Sequence, residues 1–202
     1  MGNGVPDGPA WRPPSFDIEQ CRVQMRGWDV QFLDGVEKRW IDMNGHMNVG
    51  AYDAVFHFVG YRCFMRKVGC DGLALHQKYG NLSTMVLQTN TRYQRELVQG
   101  QPFSVRCQLL DFNDHLVHFG LAITADDANG RELYVAASNE RMVICVSLAP
   151  DSRGKSPWPP PERASLQALW KEHSALPVPP WASDGGKISV RTDSARANLA
   201  KL

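Results

Sequence analysis

A single stretch of helical periodicity followed by a run of period-two segments leaves this chain few folds. Tyr52, Val55, Phe56, Val59 and Cys63 fall at i, i+3, i+4, i+7 and i+11, the spacing of one helix face. Phe58, Phe64, Met65 and Val68 add apolar character on the other faces, and a helix apolar nearly all round is a buried one. Gly69 is placed to stop it. After a polar loop through Gly80 the period changes to two. Met85, Leu87, Thr89, Thr91 and Tyr93 share one face, with Val86, Gln88, Asn90 and Arg92 on the other. Phe103 to Leu109 alternates likewise, then Val117 to Ile123, and a last apolar strand runs from about Glu132 to Ser147. Gln99–Pro102, Asn113–Asp114 and Asp126–Gly130 read as the turns between them. Long strands joined by short turns form an antiparallel meander. One buried helix supplied ahead of them covers one face of that sheet. The expected class is α+β.

Three regions are expected. Residues 1–22 read as a disordered arm, 23–150 as the folded domain and 151–202 as a Pro-rich extension. Within the domain, Gln24 to Trp40 reads as one extended or broken strand. The extension carries one short helix over Glu162–Ser174 and a tail from Pro177 that reads as loosely attached.

Composition excludes more than it assigns. The 22 basic residues nearly cancel 21 acidic ones, for a net charge of +1, so neither nucleic acid nor an anionic membrane is an expected partner. The Gly- and Pro-rich start is not a signal peptide, and no run of 18 apolar residues occurs. Five scattered cysteines without a CxxC pair read as buried free thiols in a reducing, cytoplasmic setting. Without a GxGxxG or Walker loop no nucleotide cofactor is indicated, and without GxSxG no serine-hydrolase elbow. His46, His115 and His118 lack metal-ligand spacing, so neither metal nor cofactor is expected.

The chemistry concentrates in Asp42-Met43-Asn44-Gly45-His46-Met47-Asn48, just before the helix opens at Val49. A helix N-terminus presents unpaired N–H groups and a partial positive charge, which polarise a carbonyl. Asn48 is placed as the N-cap, against the alternative of a contact to substrate, and Gly45 permits positive φ or close backbone approach. Asp42 is the candidate nucleophile or general base, against the plainer role of shaping the turn. His46 is a second base or a tie that holds the loop. Trp40 and Tyr52 flank the motif as candidate aromatic walls of a substrate pocket. Arg92 and Arg95 are candidate cations for the phosphates of a substrate.

The Asp-x-x-Gly-His-x-Asn pattern at 42–48, with Tyr52 behind it, resembles that of hotdog acyl-CoA thioesterases of the 4-hydroxybenzoyl-CoA thioesterase type. The resemblance extends from about Val30 to Ser147. Trp40 through Asn48, Thr91-Arg92-Tyr93 and Ala175-Leu176-Pro177 are similar to segments of the betainyl-CoA thioesterases of carnitine breakdown. The resemblance implies a hotdog fold, in which an antiparallel sheet wraps a long buried helix. It also implies a homodimer joined edge to edge with active sites at the interface, and leaves a tetramer of two dimers open. It makes Asp42 essential and gives the polarising N–H to Val49. The position after Asn48 is commonly polar in that family; Val49 keeps the backbone donor and loses any side-chain contact to substrate. Two other readings share the fold: a hydratase or dehydratase with His46 as base, and a non-catalytic dimer that binds acyl-CoA or a partner through its C-terminal Trp-Pro segment.

Overall fold

The computed structural model describes residues 29–126 and 133–183. The expected arm at 1–22, the start of the first strand, the tip of the third turn and the tail beyond Ser183 lie outside those residues. The elements in chain order begin with β1 (Asp29–Leu33) and a 3-10 turn (Lys38–Trp40). The central helix α1 is built of three segments: α-helical Val49–Val55, a π-helical stretch Phe56–Tyr61, and α-helical Arg62–Lys67. Then come α2 (Gly72–Tyr79), β2 (Leu82–Tyr93), β3 (Phe103–Phe112), β4 (Leu116–Asp126) and β5 (Leu133–Ser147). The two-residue β6 (Gly154–Lys155), α3 (Pro160–His173) and α4 (Pro180–Ser183) complete the order. The sheet is antiparallel in the order β1-β3-β4-β5-β2, with β6 on β5. A long helix on the concave face of such a sheet is the hotdog arrangement, as expected.

The core lies between α1 and the sheet. Val105, Cys107 and Leu109 of β3 meet Val117, Phe119, Leu121 and Ile123 of β4 and Val143 and Cys145 of β5, and Phe56, Phe64 and Met65 of the helix pack on them. Phe119 anchors the contact, with Phe64 edge-on at 4.8 Å and Tyr61 at 6.0 Å between ring centroids.

α1 differs from its expected form in two respects. It is not apolar all round, because Phe58 is exposed and Val59 and Cys63 are only half-buried. The buried stripe instead runs Tyr52, Val55, Phe56, then Gly60, Tyr61, Phe64 and Met65. The π stretch causes the shift: Arg62 N–H donates to His57 O, five residues back, and the extra residue rotates everything after it. Gly60 is thereby turned into the sheet, so close that a Cβ there would sit 2.5 Å from Leu121 Cδ2 and 3.0 Å from Val105 Cγ1. Glycine is needed here for close approach, not for its dihedral freedom.

The segment expected to be a polar loop through Gly80 contains α2. Asp71 caps it by accepting from Leu73 and Ala74 N–H, and only Leu75 is buried, so it has almost no apolar signal. The alternation of β2 is also broken. Its register on β5 shifts between Val86 and Gln88, so Thr84 and Val86 share the inner face with Thr89, Thr91 and Tyr93. Met85 lies with Gln88, Asn90 and Arg92 on the outer face, where Leu87 packs on Leu116, Met142 and Ile144. A β-bulge of this kind puts two residues opposite one and reverses the pattern beyond it.

The C-terminal extension is bound tightly through residue 182. Trp158, Leu166 and Leu169 belong to the main core. Leu109 N–H donates to His173 Nδ1 at 2.9 Å, and Gln108 Nε2 donates to His173 O. Glu162 accepts from Lys78 Nζ and Tyr79 Oη, both at 2.8 Å, joining α3 to α2. Trp181 is buried on the outer face against Ala122 and Val135, so the expectation of loose attachment from Pro177 fails for this stretch. Among the described residues no helix is long and apolar enough to cross a membrane.

Candidate active site

The loop from Asp42 to Asn48 folds on its own hydrogen bonds before it reaches anything else. Asp42 Oδ1 accepts from Asn44 N–H at 2.8 Å and from His46 N–H at 3.4 Å. Asp42 N–H donates to His46 O, and Gly45 N–H to Asp42 O. Gly45 has φ 84°, a conformation that glycine adopts without strain. One carboxylate oxygen thus shapes the turn, while Oδ2 takes no bond within it.

Asn48 joins loop and helix. Its Oδ1 accepts from Ala51 N–H at 2.9 Å, the N-cap bond. Its backbone N–H and Nδ2 both donate to Trp40 O at 2.8 Å. The N–H groups of Val49 and Gly50 have no acceptor one turn back in the helix, and both residues are exposed. An oxyanion site is made of such donors at the positive end of a helix.

A second segment, Arg95 to Val98, holds the loop in place. Met47 N–H donates to Leu97 O, and His46 Nε2 lies 3.0 Å from Glu96 Oε2. The hydroxyl of Tyr52 accepts from Leu97 N–H at 3.1 Å and reaches Arg95 O at 3.5 Å. Burial pushes the Tyr52 phenol well above its ordinary range. Tyr52 is therefore a post joining helix to loop. Tyr52→Phe strands the buried N–H of Leu97, and the expected loss is about 1–3 kcal/mol of unfolding free energy, read by urea denaturation.

The remaining expected residues are placed unequally. Trp40 packs edge-on to Phe103 at 6.4 Å, under the Arg39 guanidinium at 6.0 Å, and touches the site through its carbonyl. Arg95 lies over the Tyr134 ring at 4.0 Å, beside the loop. Arg92 is opposite Ser138 on the outer face, near Glu140, whose carboxyl burial pushes up to about 7. The structure therefore brings Asp42, Gly45, His46, Asn48, Val49, Trp40, Tyr52 and Arg95 together and leaves Arg92 apart. Among the described residues no group of three or more His, Cys, Asp or Glu side chains is arranged to hold a metal. Burial holds the His118 imidazole down at about 4 and pushes the Cys145 thiol up to about 11.

A polar cluster that the sequence reading passed over lies further along the helix. Arg141 and Asn139 point from β5 into the concave face, beneath Asp53, His57 and Tyr61 of α1. Arg141 Nη1 is 3.3 Å from His57 Nδ1, Nη2 is 3.5 Å from Asp53 Oδ1, and the guanidinium lies 5.7 Å from the Tyr61 ring. Asn139 Nδ2 donates to Thr89 Oγ1 and Thr91 Oγ1, both at 2.7 Å. Burial, and after it the Arg141 charge, hold His57 below its ordinary value. Beside the cluster is a cleft of about 240 Å³ lined by His57, Tyr61, Arg62, Asp71, Thr84 and Val86, among others. Its signal was the polar run Ser138-Asn139-Glu140-Arg141 inside an otherwise apolar strand.

Comparison with known proteins agrees with this fold. The sequence profile of the thioesterase-like superfamily matches residues 36–169. A betainyl-CoA thioesterase of Pseudomonas aeruginosa is 29% identical over 140 residues, 69% of this chain and 82% of that one. A Staphylococcus aureus protein solved in complex with CoA superposes with a TM-score of 0.65 at 22% identity, over 82% of this chain and 97% of that one. A 1,4-dihydroxy-2-naphthoyl-CoA thioesterase from Synechocystis superposes with a TM-score of 0.58 at 15% identity, over 71% and 98%.

Proposed function

We propose that this chain, which belongs to the thioesterase-like superfamily and is an acyl-CoA thioesterase, hydrolyses a small acyl-CoA at the Asp42 loop. The carrying observation is the pairing of Asp42, fixed through Oδ1 alone, with the open N–H groups of Val49 and Gly50 one loop away. The thioester carbonyl oxygen sits on the Val49 N–H. Asp42 then attacks the carbonyl carbon through Oδ2 and expels CoA thiolate, which takes up a proton. Water opens the resulting anhydride to free acid and restores the carboxylate. Alternatively Asp42 takes a proton from water as that water attacks. In both routes the negative charge that develops on the carbonyl oxygen meets helix-end donors already in position.

The homodimer belongs to this proposal. β2 is a 12-residue edge strand without a buried residue, and it exposes Met85, Val86 and Tyr93. A long exposed edge of this kind needs pairing or cover, and a second copy joined edge to edge supplies it. The free thiols of Cys63, Cys70, Cys107 and Cys145 fit a reducing, cytoplasmic setting.

Similarity to the betainyl-CoA thioesterase makes betainyl-CoA the first thioester to assay. Free thiol released from betainyl, short-chain, long-chain and aromatic acyl-CoAs, followed with a thiol-reactive dye, tests the proposal. Turnover confined to small acyl groups is the expected result. Turnover confined to long or aromatic ones contradicts it.

A further inference from the structure

The face of α1 that starts at the helix mouth continues straight into the buried polar cluster. Val49, Asp53 and His57 follow at four-residue steps, about 6 Å apart along the axis. Arg141 lies under Asp53 and His57, so its guanidinium is within reach of a short acyl group whose carbonyl sits at Val49. We propose that Arg141 is a specificity-determining residue and that the acyl group taken here ends in an oxygen acceptor, a carboxylate above all. The inference rests on acyl-CoA hydrolysis at the Asp42 loop and names the substrate class of that same site.

Two observations point to an acceptor. Arg141 Nε is buried and has no hydrogen-bond partner, while its two terminal nitrogens make only long contacts of 3.3 and 3.5 Å. A buried donor left unpaired is costly until a ligand or water meets it. Next, Thr89 and Thr91 already accept from Asn139, which leaves each hydroxyl hydrogen free to donate.

The charge balance points the same way. Asp53 neutralises Arg141 on paper, but its side chain is 60% exposed and that of Arg141 only 3%. Water screens the carboxylate far more than the guanidinium. The guanidinium is therefore the less screened charge of the Asp53–Arg141 pair. A quaternary ammonium has no lone pair to accept a hydrogen bond and repels Arg141, so the chain departs here from the betainyl substrate of its Pseudomonas aeruginosa relative.

The test compares three acyl groups of similar size: succinyl (anionic), butyryl (neutral) and betainyl (cationic). kcat/KM for CoA release is measured on the thioesters, and the dissociation constants of their non-hydrolysable thioether analogues by calorimetry. Wild type, Arg141→Gln and Arg141→Lys are compared, with folding checked by circular dichroism. In the wild type, succinyl is expected to exceed butyryl by about 10- to 100-fold, the range for a hydrogen bond to a charged group, with betainyl last. Arg141→Gln brings the succinyl-to-butyryl ratio of kcat/KM toward one, and Arg141→Lys keeps the order in weakened form. A structural role would lower all three alike and overturn the inference. A flat or betaine-first order in the wild type overturns it without any variant. Such an order with Asp42-dependent CoA release leaves hydrolysis standing. Charge-ordered binding without CoA release removes hydrolysis and keeps Arg141.

Discussion

Asp42→Asn is expected to lower kcat by about 10²–10⁴, the range lost with a positioned acid–base group, and to leave the melting temperature unchanged. The amide matters more than its conservative size. An asparagine oxygen still accepts from the N–H groups of Asn44 and His46, the two bonds by which Asp42 shapes its turn. What disappears is the charge on Oδ2, and with it both the nucleophile and the base. The substitution thus separates the turn-shaping role of Asp42 from its chemistry, which Asp42→Ala would remove together. Steady-state kinetics on the best substrate, with thermal unfolding of the same samples, gives the answer. A variant that keeps full activity assigns Asp42 to the turn alone.

The second large effect is expected at Val49→Pro. Proline is well tolerated at the first position of a helix because that N–H has no intrahelical acceptor. The residue before a proline is restricted to extended backbone, and Asn48 already has φ −73° and ψ 157°. The variant therefore removes one donor and leaves helix and cap in place. Loss of a single oxyanion donor costs about 10²–10³ in kcat. Val49→Ala, which retains the N–H, is the control and is expected to keep wild-type kcat. If Val49→Pro and Val49→Ala behave alike, the polarising group is not the Val49 N–H.

The parts of the molecule that were legible in the sequence are those that one residue and its near neighbours decide. The Asp42–His46 turn closes on bonds between residues no more than four apart, so its residue types identify it. The existence of α1 follows from its apolar period, but the π stretch does not. That shift is settled by Gly60 meeting Leu121 and Val105, contacts with distant strands that no local pattern encodes. The bulge at Leu87 is a similar case, because alternation in sequence holds only while the register on β5 holds. The short α2 was hidden by polarity, although Asp71 before Gly72 was a readable cap signal.

The same distinction separates the site residues. Tyr52 was placed near the site by its spacing, yet its hydroxyl serves Leu97, 45 residues away. Arg92 looked like a surface cation for CoA, and only the strand register shows it on the outer face. Arg141 sits two residues from Asn139 on the inner face, and the polar run containing both was visible in the sequence. Which of its members turn inward is fixed by pairing with β4, where Arg141 faces Phe119 and Asn139 faces Leu121.

The measurement that bears most directly on catalysis at the Asp42 loop is a crystal structure with a non-hydrolysable thioether acyl-CoA analogue that retains the carbonyl. The account predicts the carbonyl oxygen at about 3 Å from the Val49 N–H, with the Asp42 carboxylate beside the carbonyl carbon and the acyl group directed toward Arg141. An analogue seated with its carbonyl away from both Val49 and Asp42 would contradict it.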